Sequence, residues 1–145
     1  MGCLVASNQI RIIVTDLERF IDRLIRKLVL DVVANLRTSA DSGYGTPVDT
    51  GWARANWVPN IGGKRQAPSG TRESVSSADQ NAGVAKVATS YRHQQGPVFI
   101  SNMVPYIVHL NEGSSRQAPA GFVQNAVTKA VQVDMKRGLA AMVGK

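Results

Sequence analysis

FISNMVPYIVHLNEGSSRQAPAGF, residues Phe99 to Phe122, carries the decisive signals of this chain. Val98, Phe99 and Ile100 form a run apolar on both faces, as in a buried strand. Pro105 pre-sets the backbone for a helical turn, and Tyr106, Ile107 and Leu110 fall on one side of it at spacings of three and four. Gly113 is placed to end that turn, because a left-handed residue costs glycine nothing. Ser114 to Gln117 carry polar groups through solvent, and Pro119 and Gly121 introduce a further helix. Little of this resembles chemistry. It is a shaped corner between elements, and such corners serve docking more often than catalysis.

After that corner, the spacing predicts a helix over about 121–141, with Val123, Val127, Val131 and Met135 in i, i+4 steps as its apolar stripe, Ala126 and Ala130 alongside, and Gly138 weakening its end. Before it, 9–14 (QIRIIV) is β-branched and predicts a short strand. Thr15 and Glu18 stand at capping-box spacing, so the first helix is expected to start there. Leu17, Phe20, Ile21, Leu24, Leu28, Val32 and Leu36 recur every three to four residues, and Ile25, Val29 and Val33 widen the stripe. At about 1.5 Å per residue, Asp16 to Arg37 spans roughly 30 Å. So broad an apolar face requires cover from a sheet or from another subunit.

Asp41, Ser42, Gly43 and Gly45 stop that helix. In TPVDTGWARANWVP, Thr46 to Pro59, Asp49 or Thr50 can bond backbone amides ahead and Gly51 can take a positive φ. Ala53, Ala55 and Trp57 then alternate with Trp52, Arg54 and Asn56, predicting a strand limited by Pro59. Arg54 is expected to pair with a buried acid, Asp49 or Glu112. The segment 60–73 is rich in Gly, Pro, Ser and Arg without a period, and reads as a long, flexible, basic loop carrying Lys64, Arg65 and Arg72. From Ser74 to Tyr91, Val75, Ala78, Ala82, Ala85 and Ala88 give a weak helical face interrupted by Gly83. The composite over 1–145 is a single α+β domain: a small, mostly antiparallel sheet packed by a long N-terminal helix and a C-terminal helix.

Composition bounds the function classes. With 43% apolar residues in 145, the chain can build one core. The single Cys3 cannot form an internal disulfide, so nothing demands an oxidising compartment, and folding in a cytoplasm is expected. No run approaches the roughly 20 apolar residues of a membrane span, and no membrane partner is expected. Met1-Gly2-Cys3 lacks the Ser or Thr of a lipidation signal, having Ala6 instead. Seventeen basic against ten acidic residues, net +7, favour nucleic acid or an acidic protein surface as partner.

Asp49-Thr50-Gly51 matches the aspartic-protease tripeptide, but Thr46-Pro47 breaks the apolar strand that chemistry requires, so turn-capping is the reading. His93 and His109 have no Cys or His at ligand spacing, Gly62-Gly63-Lys64-Arg65 lacks the phosphate-loop pattern, and no G-x-S-x-G is present. No enzymatic activity, metal or cofactor is expected. A small basic nucleic-acid-binding module is the alternative function, with Lys64, Arg65 and Arg72 on the loop and Trp52, Trp57 or Tyr91 stacking bases if exposed and anchoring the core if not.

Two of these stretches together resemble the tail-completion or neck proteins of long-tailed bacteriophages, minor tail components at the head-to-tail joint. Thr46 to Trp57 is similar to that family's P-V-D-T-G followed by a base and a Trp. Ile100 to Val123 is similar to its N-x-x-P-Y, Leu-Glu-x-Gly and Q-A-P-x-G-x-V elements, with Asn111 departing from the direct Leu-Glu pair. The resemblance implies a structural virion protein. It would form a ring with itself, six-fold, joining the tail tube or tail terminator to the head-tail connector, with genome DNA in the channel as a further partner. It makes Asp49, Thr50, Gly51, Arg54, Trp57, Asn102, Pro105, Tyr106, Gly113, Gln117, Pro119 and Gly121 positions that shape the fold and its contact loops. Being long, basic and without core residues, 60–71 is itself expected to be an arm ordered on assembly.

Overall fold

A computed structural model describes residues 2–144. Its spine is helix α1, Gly2–Arg37, 36 residues long and therefore about 54 Å end to end. The expected strand at 9–14 and the expected start at Thr15 are both corrected: these residues continue α1. A lone strand would leave its ladder groups unpaired, whereas extending a nucleated helix adds one hydrogen bond per residue, which outweighs the modest helix penalty of Ile and Val. Only the second half of α1 is covered. Val29, Val32, Val33 and Leu36 are buried, while every residue from Gly2 to Leu17 is exposed.

A tight turn at Ala40–Ser42 leads to a short helix, α2, Trp52–Ala55. This corrects the strand expected from Trp52 to Trp57. Ala53, Ala55, Asn56 and Trp57 are all buried, a run that the alternation of a strand does not give, and side chains take the carbonyls a short helix leaves free. Asn56 Nδ2 donates to Trp52 O at 2.9 Å and Asn102 Nδ2 to Ala53 O at 2.8 Å. Strand β1 is Val58–Ile61, so Pro59 lies within a strand instead of ending one. It pairs antiparallel with β2, Val98–Ser101, in the register Val58 to Ser101 through Ile61 to Val98. A sheet of two strands gives each a free edge, which is where a proline can sit. For the same reason β2 is not buried on both faces, and Phe99 is 41% exposed.

Helix α3, Ala78–Ser90, lies against β1. Its buried positions are Gln80, Gly83 and Val87, not the expected alanine face. A Cβ on Gly83 would stand 2.5 Å from Pro59 O, so the glycine is what lets helix and strand backbones meet. Helix α4, Ile107–His109, opens into a wide turn, Leu110–Ser114, in which Gly113 has φ 92°. Helix α5, Phe122–Val143, then runs back along α1.

The main core joins Val32, Leu36 and Ala40 to Trp57 and to Ala118, Phe122, Ala126 and Ala130. A second cluster sets Val29 against Val87 and Tyr91. Thus α5 buries Phe122 with Ala126 and Ala130, the alanines expected alongside the valines, and Val123 packs against them, while the rest of the expected stripe is turned out: Val127, Val131 and Met135 are 42%, 38% and 47% exposed. Alanine wins the interior because its small side chain lets two helix axes approach closely while Phe122 fills the remaining space. The architecture is α+β, a two-stranded antiparallel sheet with a long N-terminal and a C-terminal helix.

Candidate functional site

The two sequence motifs, far apart along the chain, meet in one corner. Gln117 bridges them by presenting its amide as a substitute strand: Val48 N donates to Gln117 Oε1 at 2.9 Å and Gln117 Nε2 donates to Val48 O at 3.0 Å. Thr46 is the hub beneath. Its hydroxyl donates to Leu36 O at 2.7 Å and accepts from Trp57 Nε1 at 2.8 Å, while Arg54 Nη2 donates to Thr46 O at 3.0 Å. Arg54 therefore serves a carbonyl and pairs with no acid, correcting the ion pair expected with Asp49 or Glu112. Its guanidinium finds a backbone acceptor because both carboxylates are exposed and face elsewhere.

The three motif glycines, Gly51, Gly113 and Gly121, take φ of 87°, 92° and 78°, so each turns the chain where a side chain would strain it. At Gly113 space is short as well, since a Cβ would lie 3.1 Å from Ala120 Cβ. Asn111 closes this corner from inside. Its carbonyl accepts Gly121 N at 2.7 Å and its Oδ1 accepts Val123 N at 3.0 Å, satisfying a free amide at the start of α5. Pro105 and Pro119 are exposed where the chain enters the two turns.

On the outer side, Asp49 accepts from Arg72 Nη2 at 2.5 Å, and the Arg72 guanidinium lies 5.6 Å from the Tyr106 ring centroid. Tyr106 in turn meets Trp52 with ring centres 6.0 Å apart. Thr50 Oγ1 accepts Trp52 N at 3.4 Å. The Asp49-Thr50-Gly51 tripeptide is thus a turn with a surface ion pair. The hollow between Val48, Asp49, Gly51, Tyr106 and Gln117 is about 70 Å³, far below the 300–1,000 Å³ of small-molecule sites.

The basic loop is held down rather than free. Asn56 Oδ1 accepts Ser69 N at 2.6 Å, Trp52 Nε1 donates to Ser69 O at 2.8 Å, and Ser69 itself is buried. Arg65 Nη2 meets Asp79 at 3.0 Å, and the Ser69 hydroxyl donates to the same carboxylate. That hydroxyl first, and Arg65 second, hold Asp79 below the ordinary carboxylate value. Of the loop cations, Arg65 and Arg72 are committed within the chain and Lys64 is exposed. Trp57 and Tyr91 are core residues, leaving half-buried Trp52 as the one aromatic of that set near the loop.

No family model, curated protein or solved structure matches this chain. Among the described residues, no group of His, Cys, Asp and Glu is arranged to hold a metal ion, and no helix is long and apolar enough to cross a membrane.

Sequence reading missed a second polar junction, at Asp22. This carboxylate is 7% exposed, accepts the His93 backbone N at 2.7 Å and contacts His93 Nδ1 at 2.9 Å. The His93 amide is the main cause holding Asp22 below its ordinary value, with the His93 ring and Arg92 adding to it against the opposing effect of burial. A lowered folded-state value means a contribution present above the unfolded value and lost as pH falls through the folded one. Asp22→Asn should therefore melt lower than the parent at neutral pH, with the gap closing under acid. Thermal scans from pH 7 downward check this, and a gap independent of pH would remove the carboxylate's role. The sequence gives little signal here, because Asp22 shares its helix face with Glu18, Arg19 and Arg26 and so reads as one more solvated charge.

Proposed function

We propose that this protein is a structural subunit of a phage neck or tail-completion ring, joining tail tube to head connector, and not an enzyme. The observation that supports it best is a pair of unlike apolar surfaces on one chain. The overhanging start of α1 carries Leu4, Val5, Ile10 and Ile12 at 59–70% exposure, and the outer stripe of α5 carries Val127, Val131, Met135 and Leu139 at 38–58%. A head-to-tail ring needs two different patches on each subunit, and exposed apolar patches of this kind are uncommon on monomers. The resemblance at Thr46 to Trp57 and Ile100 to Val123 suggests the family, and the corner those motifs build suits a docking role. A nucleic-acid-binding module, the second reading, is favoured by the net charge of +7 alone.

Light scattering with purified tails tests the proposal. The parent should add to tails as a ring. Ile10→Asp and Val131→Asp, both at exposed positions, should each keep the parent melting curve and lose the ring. Mixed together, they should give a pair and no ring, since only one intact interface can form between them. A parent that remains a monomer with tails yet binds DNA with steep salt dependence overturns the reading in favour of the module.

A further inference from the structure

A large concavity lies apart from the motif corner, between the middle of α1 and the last turns of α5, with Arg92 at one side and a volume of about 1090 Å³. Its floor is apolar: Ile13, Leu17, Phe20, Leu24 and Ala141. Ile13 and Leu17 are 65% and 48% exposed. Its walls carry Arg19, Arg23, Arg26, Lys27, Arg92 and Arg137. Arg26 is spent on Tyr91 O, with Nε at 2.9 Å, and Lys27 on Asp31. Arg92 stands 3.8 Å from Asp22, and Arg19 has a loose, exposed pairing with Asp16 at 3.9 Å. Arg23 and Arg137 have no acidic partner among the described residues.

One wall atom set is unsatisfied. Asp134 is 3% exposed, both its carboxylate oxygens lack a hydrogen-bond partner, and Lys27 Nζ is 3.9 Å away. Burial first, and neighbouring Asp31 second, push this carboxyl above its ordinary value, with Lys27 and Arg137 opposing. Its negative charge is thus disfavoured, and the groove presents a cationic rim above an apolar floor.

We propose that this groove seats an acidic amphipathic helix from another protein. Complementarity requires apolar residues at three and four spacing along the floor and carboxylates on the flanks that reach Arg19, Arg23 and Arg137. From Ile13 to Lys27 the groove admits a helix of about 14 residues, roughly four turns. A second copy of this chain does not fit. Of its ten acids, only Glu18 and Glu73 lack a salt bridge or a hydrogen bond among the described residues, so it offers no acidic stripe and brings a further +7 to a cationic rim. Nucleic acid fits less well, because the floor is mostly aliphatic, with half-buried Phe20 its one aromatic, and gives bases little to stack on. The inference does not depend on ring formation.

The test is fluorescence anisotropy with a labelled peptide of about 14 residues that places Leu on one helical face and Glu on both flanks. A scrambled peptide of the same composition, a Lys-for-Glu peptide and a DNA duplex serve as competitors, in about 0.1 M salt to limit unspecific attraction. The acidic amphipathic peptide should bind at least about tenfold tighter than either control peptide. Arg23→Glu with Arg137→Glu should weaken it by about tenfold or more, as should Leu17→Asp, with melting curves unchanged because these side chains are exposed. Absence of saturable binding, equal binding of the scrambled peptide, or variants that bind as the parent does would each overturn the proposal. Displacement by DNA at lower concentration than by unlabelled peptide would also overturn it and make the groove a nucleic-acid surface. Light scattering in the same samples reports ring formation separately, so failure of either idea is seen without the other.

Discussion

Phe122→Ala should destabilise this protein by about 3–5 kcal/mol, the usual range for removing a fully enclosed aromatic side chain. Phe122 is 0% exposed and shares its cluster with Val32, Leu36, Trp57 and Ala126. Its neighbours Val32, Leu36, Trp57 and Ala126 are held by their own packing on α1, α5 and the segment before β1, so the space closes only in part. Against a total stability of about 5–15 kcal/mol, such a loss leaves a small margin. Urea unfolding of parent and variant measures it. A loss under about 1 kcal/mol would mean that α1 and α5 are not held by this cluster.

Asn56→Ala should act differently, costing about 2–4 kcal/mol while releasing one segment selectively. Asn56 is 2% exposed and spends its whole amide on backbone, Trp52 O and both polar groups of Ser69. Its removal strands the Ser69 amide in a buried position, and an unmade buried hydrogen bond costs more than a made one contributes. The segment around Lys64, Arg65 and Arg72 should then become sensitive to trypsin at temperatures where the parent resists. Equal cleavage rates at those sites would show that the anchor is elsewhere, and rapid cleavage of the parent would restore the free arm expected from composition.

How much of this was legible in the sequence differs by physical cause. The covered half of α1 was legible because Val29, Val32 and Leu36 repeat at helical spacing and are buried in that pattern. The turn glycines were legible because only a positive φ explains glycine between such neighbours. The face of α5 was misjudged because hydrophobicity ranks valine over alanine, whereas close approach of backbones selects the small residue; the face of α3 was misjudged because Gln80 is buried for its hydrogen bonds to Arg54 O and Trp57 O and Gly83 for its contact with β1, neither of which hydrophobicity marks. The 9–14 stretch misled because β-branching records a preference and not the presence of a partner strand. In the motif corner, Gln117, Asn102 and Arg54 could be singled out as positions, yet their partners are backbone carbonyls and amides, which have no sequence signature. Ser69 and Asn56 gave no signal for the same reason.

The Gln117 amide clamp on Val48 joins residues separated by 69 positions. Closing a loop of that length costs about 4 kcal/mol of chain entropy, more than two exposed hydrogen bonds return. The clamp cannot nucleate anything; it forms once Trp57 and Phe122 have already brought its two sides together. It is therefore among the last contacts made in folding and among the first to open in the native state, a latch whose release leaves the core intact. A corner of that kind can be re-set by whatever docks on it, at a small fraction of the cost of unfolding the domain.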